Sequence, residues 1–132
     1  MTDSSSGVRL TIVLADDDPD YRYFVRFLLV PMADVVTIVG EAGDGETALA
    51  LIFRKRPDIV VADLLMPRLN GIEVTRRVKT QLPDTKIVLM TAYTGDANRR
   101  LASVSGADGF LDKTALITEF VPAIRDIVGL LR

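Results

Sequence analysis

The 132-residue chain is long enough to bury one sizeable core and too short for two ordinary domains; 48% hydrophobic and 26% charged residues mark it as globular. A net charge of −2 gives no field for gripping a phosphate backbone, so direct nucleic-acid binding is not expected. The absence of Cys and His excludes disulfides, thiolate catalysis, Cys-ligated zinc and any phosphohistidine within the chain.

The opening MTDSSSG is polar and lacks the apolar core of a signal peptide, so residues 1–7 are expected to form a frayed tail. The domain proper then covers residues 8–132. No apolar run approaches the roughly 18 residues needed to span a bilayer, and a cytosolic location is expected. Val8 to Ala15 is a β-branched run that stops at Asp16, Asp17 and Asp18. Asp18 to Met32 carries Tyr21, Phe24, Val25, Leu28, Leu29 and Met32 at the spacing of an amphipathic helix. Asp18 before Pro19 fits a helix N-cap followed by proline in the first turn.

A second strand is predicted over Val35 to Val39, and a helix over Asp44 to Arg56, ended by Pro57. Asp58 to Ala62 is a third strand; the loop DLLMPRLNG leads to a helix over about Ile72 to Thr80. Lys86 to Thr91 is a fourth strand, and a helix from about Asp96 to Ser105 stops at Gly106, a plausible left-handed C-cap. That helix has a thin apolar stripe of Ala97, Leu101 and Val104. Asp108 to Leu111 is a fifth strand. A last helix carries Ile117, Phe120, Val121, Ile124, Ile127, Val128 and Leu131, and a start near Thr118 would keep Pro122 close to its first turn. The basic groups Arg54–Arg56, Arg76–Arg77 and Arg99–Arg100 read as solvated helix faces.

Apolar strands alternating with amphipathic helices predict an α/β fold, a doubly wound five-stranded parallel sheet with helices on both faces. Ligands in such sheets bind at the carboxyl ends of the strands. There the sequence puts Asp16, Asp17, Asp63, Thr91 and, just past the fifth strand, Lys113. Clustered carboxylates attract protons or a cation, and oxygen-only ligands with room for water and phosphate suit Mg²⁺. One carboxylate could act as nucleophile while the hydroxyl and ammonium bind phosphoryl oxygens. The loop ADDDPD has no glycine, which argues against nucleotide binding.

At these residues the chain resembles the receiver domain of bacterial two-component response regulators, from Val8 to about Leu131. The resemblance implies strand order 2-1-3-4-5 and a phosphorylation-dependent signalling switch rather than an enzyme. It implies that Asp63, in DIVVADLLMPRLNG, is the phosphoacceptor, served by a partner histidine kinase or histidine phosphotransfer protein. Mg²⁺ would be held by Asp17, Asp63 and the backbone carbonyl of Leu65, with Asp16 acting through metal-bound water. Thr91, in KIVLMTAY, matches the switch hydroxyl; Phe110, in GADGFLDK, the switch aromatic; Lys113 the lysine that pairs with phosphoryl oxygens. Leu65 and Tyr93 hold the positions that tune dephosphorylation, and their bulk implies slow hydrolysis.

Two departures stand out. Thr114 replaces a frequent proline after the lysine, often preceded by a cis bond; before threonine that bond would cost about 2.5–4 kcal/mol. Asn70 replaces a frequent aspartate before Gly71. The resemblance also implies kinase docking on the first helix, and output or homodimer formation through helix 4, strand 5 and helix 5. The chain stops just after its last helix, so either the domain works alone or an output domain lies outside the sequence. The Lys113-Thr114 pair resembles receivers joined to LuxR-type DNA-binding domains and favours the second. Two rivals stand beside this reading. One is an aspartate-dependent phosphatase of haloacid-dehalogenase type, from the Asp16 and Asp18 spacing; the other is a pseudo-receiver that docks without taking phosphate.

Overall fold

The computed structural model describes residues 8–132; the expected tail over residues 1–7 lies outside the described residues. Five parallel strands form one sheet in the order β2-β1-β3-β4-β5: β1 Leu10–Ala15, β2 Val36–Ala42, β3 Ile59–Asp63, β4 Lys86–Thr91 and β5 Gly109–Asp112. Five helices join them: α1 Pro19–Leu29, α2 Gly45–Lys55, α3 Gly71–Gln81, α4 Asp96–Ser105 and α5 Leu116–Leu131.

Successive strand side chains point to opposite faces, and both faces here are apolar. Val13, Ala15, Val60, Ala62, Ile87 and Leu89 pack with α2, α3 and Ala102 of α4. Ile12, Leu14, Ile59, Val61, Val88 and Met90 pack with Val25 and Leu29 of α1 and Phe120, Ile124 and Ile127 of α5. This double burial accounts for continuous rather than alternating hydrophobic strands. Strand order reverses between β1 and β3, so the crevice at their carboxyl ends is the natural ligand position.

Several predicted boundaries move. Helix α1 stops at Leu29, and Val30–Met32 forms a 3-10 turn instead of continuing to Met32. Pro31 lacks an N–H and its ring opposes the carbonyl four residues back, which breaks the α-helical ladder there. Strand β2 runs on to Ala42 because Glu41 and Ala42 pair with Leu14 and Ala15. Helix α5 begins at Leu116 after a 3-10 turn over Lys113–Ala115, so Pro122 lies inside it, beyond the first turn. Pro122 and Thr118, whose carbonyl loses its partner, are both on the exposed side, where water can replace the missing bond. Ile117, predicted in the apolar stripe, is exposed.

Helix α4 departs most from its pattern. It buries Ala102 and Ser105, whereas Ala97 and Leu101 face solvent and Val104 is 76% exposed. Its apolar stripe points outward, and only small side chains hold it to the sheet. Its C-terminus closes as predicted, with Gly106 at φ 101°.

Candidate functional site

Five structural devices assemble the carboxyl-terminal rim of the sheet. Asp16 follows β1, and its Oδ1 accepts the N–H of Asp18 at 2.9 Å, turning the chain into α1. Asp18 caps that helix by accepting the Asp20 N–H at 2.9 Å, with Pro19 in the first turn. Asp63 ends β3, and its Oδ1 accepts the Leu65 N–H at 3.2 Å. Gly71 closes the loop after β3: a Cβ there would stand 2.5 Å from the Asp63 carbonyl oxygen and 2.9 Å from Leu64 Cα. Glycine is therefore required for the start of α3 to approach β3. Asn70 caps α3 through the Glu73 N–H at 2.9 Å, so its exchange for aspartate keeps the capping function.

Carboxylate oxygens of Asp16, Asp17 and Asp63 lie within 4.8 Å of one another. Asp16 is 2% and Asp63 7% exposed, while Asp17 is open to solvent. The Lys113 ammonium reaches both buried acids, at 2.7 Å from Asp16 Oδ2 and 3.0 Å from Asp63 Oδ2. The contact to Asp16 is ionic but outside hydrogen-bond geometry, so Asp16 Oδ2 is buried without a hydrogen-bond donor. Three carboxylates face one ammonium, an arrangement short of positive charge.

Burial pushes the Asp63 carboxyl above its ordinary pKa; the Lys113 hydrogen bond and charge oppose this, and Asp16 reinforces it. Burial would lower Lys113, but its ionic contact with Asp16 and its hydrogen bond and charge pairing with Asp63 outweigh that and raise it. Lys113 is therefore a permanent cation at neutral pH. The surplus negative charge, an Asp16 oxygen with an ionic contact but no hydrogen bond, and an all-oxygen donor set fit a hard divalent cation such as Mg²⁺.

Thr91 ends β4, buried, one residue beyond Met90, which pairs with Asp63; its Oγ1 accepts the Tyr93 N–H at 3.0 Å. Phe110 is half-buried on β5 and does not reach the carboxylates; the Arg99 guanidinium covers its ring at 5.1 Å from the centroid. Leu65 and Tyr93 are both exposed. The Lys113–Thr114 bond is trans. Asp112 accepts both the Thr114 N–H at 2.8 Å and its hydroxyl at 2.7 Å, a cap that proline could not complete.

The structure adds two contacts that the sequence reading missed. Arg22 donates to the Asp16 carbonyl oxygen at 2.6 Å and pairs with Glu41 at 3.1 Å, bracing the acidic loop. Tyr21, read only as part of an apolar stripe, lays its ring 4.0 Å from Lys113 Nζ.

The family described as the response regulator receiver domain matches residues 12–125. The chain belongs to that family. It is 37% identical over 117 residues to the uncharacterized transcriptional regulatory protein YxjL of Bacillus subtilis, covering 89% of this chain and 53% of that one. It is 32% identical to the response regulator protein VraR of Staphylococcus saprophyticus, covering 88% of this chain and 55% of that protein. It thus spans about half the length of these relatives. Among solved structures, a LuxR-family two-component response regulator from Aurantimonas sp. SI85-9A1 superposes with a TM-score of 0.85 at 34% identity, over 92% of this chain and 86% of that one. A signal receiver domain from Mycobacterium tuberculosis gives 0.84 at 35% identity, over 92% and 97%. The chain is therefore a signalling domain of two-component regulation. The phosphatase rival falls with this assignment, since Asp18 serves as a helix cap.

Proposed function

We propose that this receiver takes a phosphoryl group on Asp63 from a phosphohistidine of a partner kinase or phosphotransfer protein. The observation that carries this reading is the buried Asp63 carboxylate paired with Lys113 and clustered with Asp16 and Asp17. An Asp63 carboxylate oxygen attacks phosphorus, the P–N bond to the donor histidine breaks, and the imidazole keeps that electron pair. The product is an acyl phosphate on Asp63. Lys113, freed from Asp63 Oδ2, pairs with a phosphoryl oxygen. Asp17, Asp63 and the Leu65 backbone carbonyl would hold Mg²⁺, with Asp16 acting through water, and the bound ion would supply charge neutralisation of those oxygens.

The hydroxyl of Thr91 then leaves the Tyr93 N–H for the phosphoryl group, and Phe110 turns inward into the space released. That motion draws Phe110 away from Arg99, which couples the site to α4. With only small residues buried, α4 is free to shift. The outward Leu101 and Val104 support an output surface, or a homodimer, on α4, β5 and α5. Leu65 and Tyr93, bulky and exposed beside the site, slow water attack on the acyl phosphate. Relatives of this chain include transcriptional regulators, so the natural output is transcription control by a separate DNA-binding part, with no nucleic-acid contact by this domain. No described helix is long and apolar enough to cross a membrane, in keeping with work in the cytoplasm.

Incubation with Mg²⁺ and acetyl phosphate, followed by intact mass, tests the reading. A single phosphoryl adduct on the parent, absent from Asp63→Ala, is expected. No adduct, together with beryllofluoride leaving the Thr91 and Phe110 NMR signals unmoved, would make the chain a docking pseudo-receiver.

A further inference from the structure

Lys113 has three partners in this structure, and they differ in kind. Two are the carboxylates of Asp16 and Asp63; the third is the face of Tyr21, 4.0 Å from the ammonium. The Lys113 side chain is 7% exposed, so its charge is largely stripped of water and depends on these neighbours. We propose that Tyr21 is a positioning residue for Lys113: its π face keeps the ammonium aimed at Asp63 when cation and phosphoryl group occupy the carboxylates. This inference rests on Asp63 being the acceptor.

The argument is one of which partners persist. An aromatic face attracts an ammonium through its quadrupole, and does so more strongly when both are desolvated. The ring face offers no oxygen to Mg²⁺, so it remains when the carboxylates are taken. Lys113 needs such a partner. It opens the 3-10 turn that leads into the 16-residue α5, where the helix dipole disfavours a cation. Its four-carbon stem is flexible, and with Tyr21 it lines a cleft of about 310 Å³ beside Thr114, Leu116 and Ile117, into which an unheld ammonium could swing. Tyr21 itself is fixed: it lies in the first turn of α1, behind the Asp18 cap, packed against the core shared by α1 and α5.

The test compares the full chain with Tyr21→Phe, which keeps the ring, and Tyr21→Leu, which keeps apolar bulk alone. Three quantities are followed: the rate of adduct formation at saturating acetyl phosphate, the Mg²⁺ titration midpoint, and the Lys113 ε-methylene NMR shift without Mg²⁺. Tyr21→Leu is expected to slow phosphorylation roughly three- to thirtyfold, leave the Mg²⁺ midpoint within about twofold, and lose the ring-current shift. Tyr21→Phe should match the parent in all three. A parent-like rate in Tyr21→Leu, or an equal loss in Tyr21→Phe, would overturn the proposal. So would a collapse of Mg²⁺ affinity in Tyr21→Leu, which would make the ring a prop for the acidic loop. A parent that takes no phosphoryl group would instead sink the acceptor reading itself.

Discussion

The two ends of the sheet use the same residue types for opposite purposes. At the amino-terminal end, Asp58 accepts the Thr11 N–H at 2.8 Å and its hydroxyl at 3.2 Å. Asp108 accepts the Ile87 N–H at 2.8 Å and pairs with Lys79 at 2.7 Å. Both carboxylates are satisfied, and each ties one strand or helix to the next. At the carboxyl-terminal end, three carboxylates cluster with one lysine, and a buried Asp16 oxygen has only its ionic contact to that lysine. Acids at the first end tie the fold together, while acids at the second crowd one another at a cost to it.

The comparison can be broken by substitution. The largest effect is on chemistry: Lys113→Ala should reduce phosphorylation at least about a hundredfold, as expected when a preorganised cation at a developing charge is lost; intact-mass time courses read it. Next is Gly71→Ala, whose methyl group meets backbone of the acceptor strand; a loss of about 1–3 kcal/mol in urea denaturation is expected. Asp108→Ala should cost about 1–2 kcal/mol by orphaning the Ile87 N–H and freeing Lys79. Asp63→Asn should do the reverse, stabilising the Mg²⁺-free domain by about 1 kcal/mol because it removes a buried charge beside Asp16.

The same contrast has a pH signature. The Asp63 pKa is raised above 3.8 in the folded state, so its ionisation disfavours folding. Relative to Asp63→Asn, the parent should gain stability as pH falls through that raised pKa toward 3.8. Asp112, lowered by the Thr114 hydroxyl and N–H, has the opposite sign: its contribution is present above 3.8 and lost as pH falls through its lowered pKa. Thermal melts in chelator across that range, on the parent and each Asp→Asn variant, separate the two.

How far the sequence carried this picture follows the same divide. Strand ends announce themselves, because an apolar run stops at a polar residue; the positions of Asp16, Asp63 and Thr91, and of Lys113 just past β5, were legible for that reason, and the Asp18 cap and Gly106 stop from helix-end chemistry. What escaped depends on contacts remote in sequence. The extension of β2 needed Leu14 and Ala15 as partners, and the Tyr21 ring under Lys113 joins opposite ends of the chain. Helix α4 misled because periodicity finds an apolar stripe without saying which way it points. There the stripe faces outward, as suits a surface that meets another molecule.

The most direct test of the account is the Mg²⁺ dependence of stability. Melting temperatures are measured for the parent and Asp63→Asn as MgCl₂ is added, against monovalent salt of equal ionic strength. The account predicts that Mg²⁺ raises the parent's melting temperature well beyond the salt control, by mass action on the folded state, and raises that of Asp63→Asn far less. Equal responses in the two proteins, or a parent that responds no more to Mg²⁺ than to salt, would contradict it.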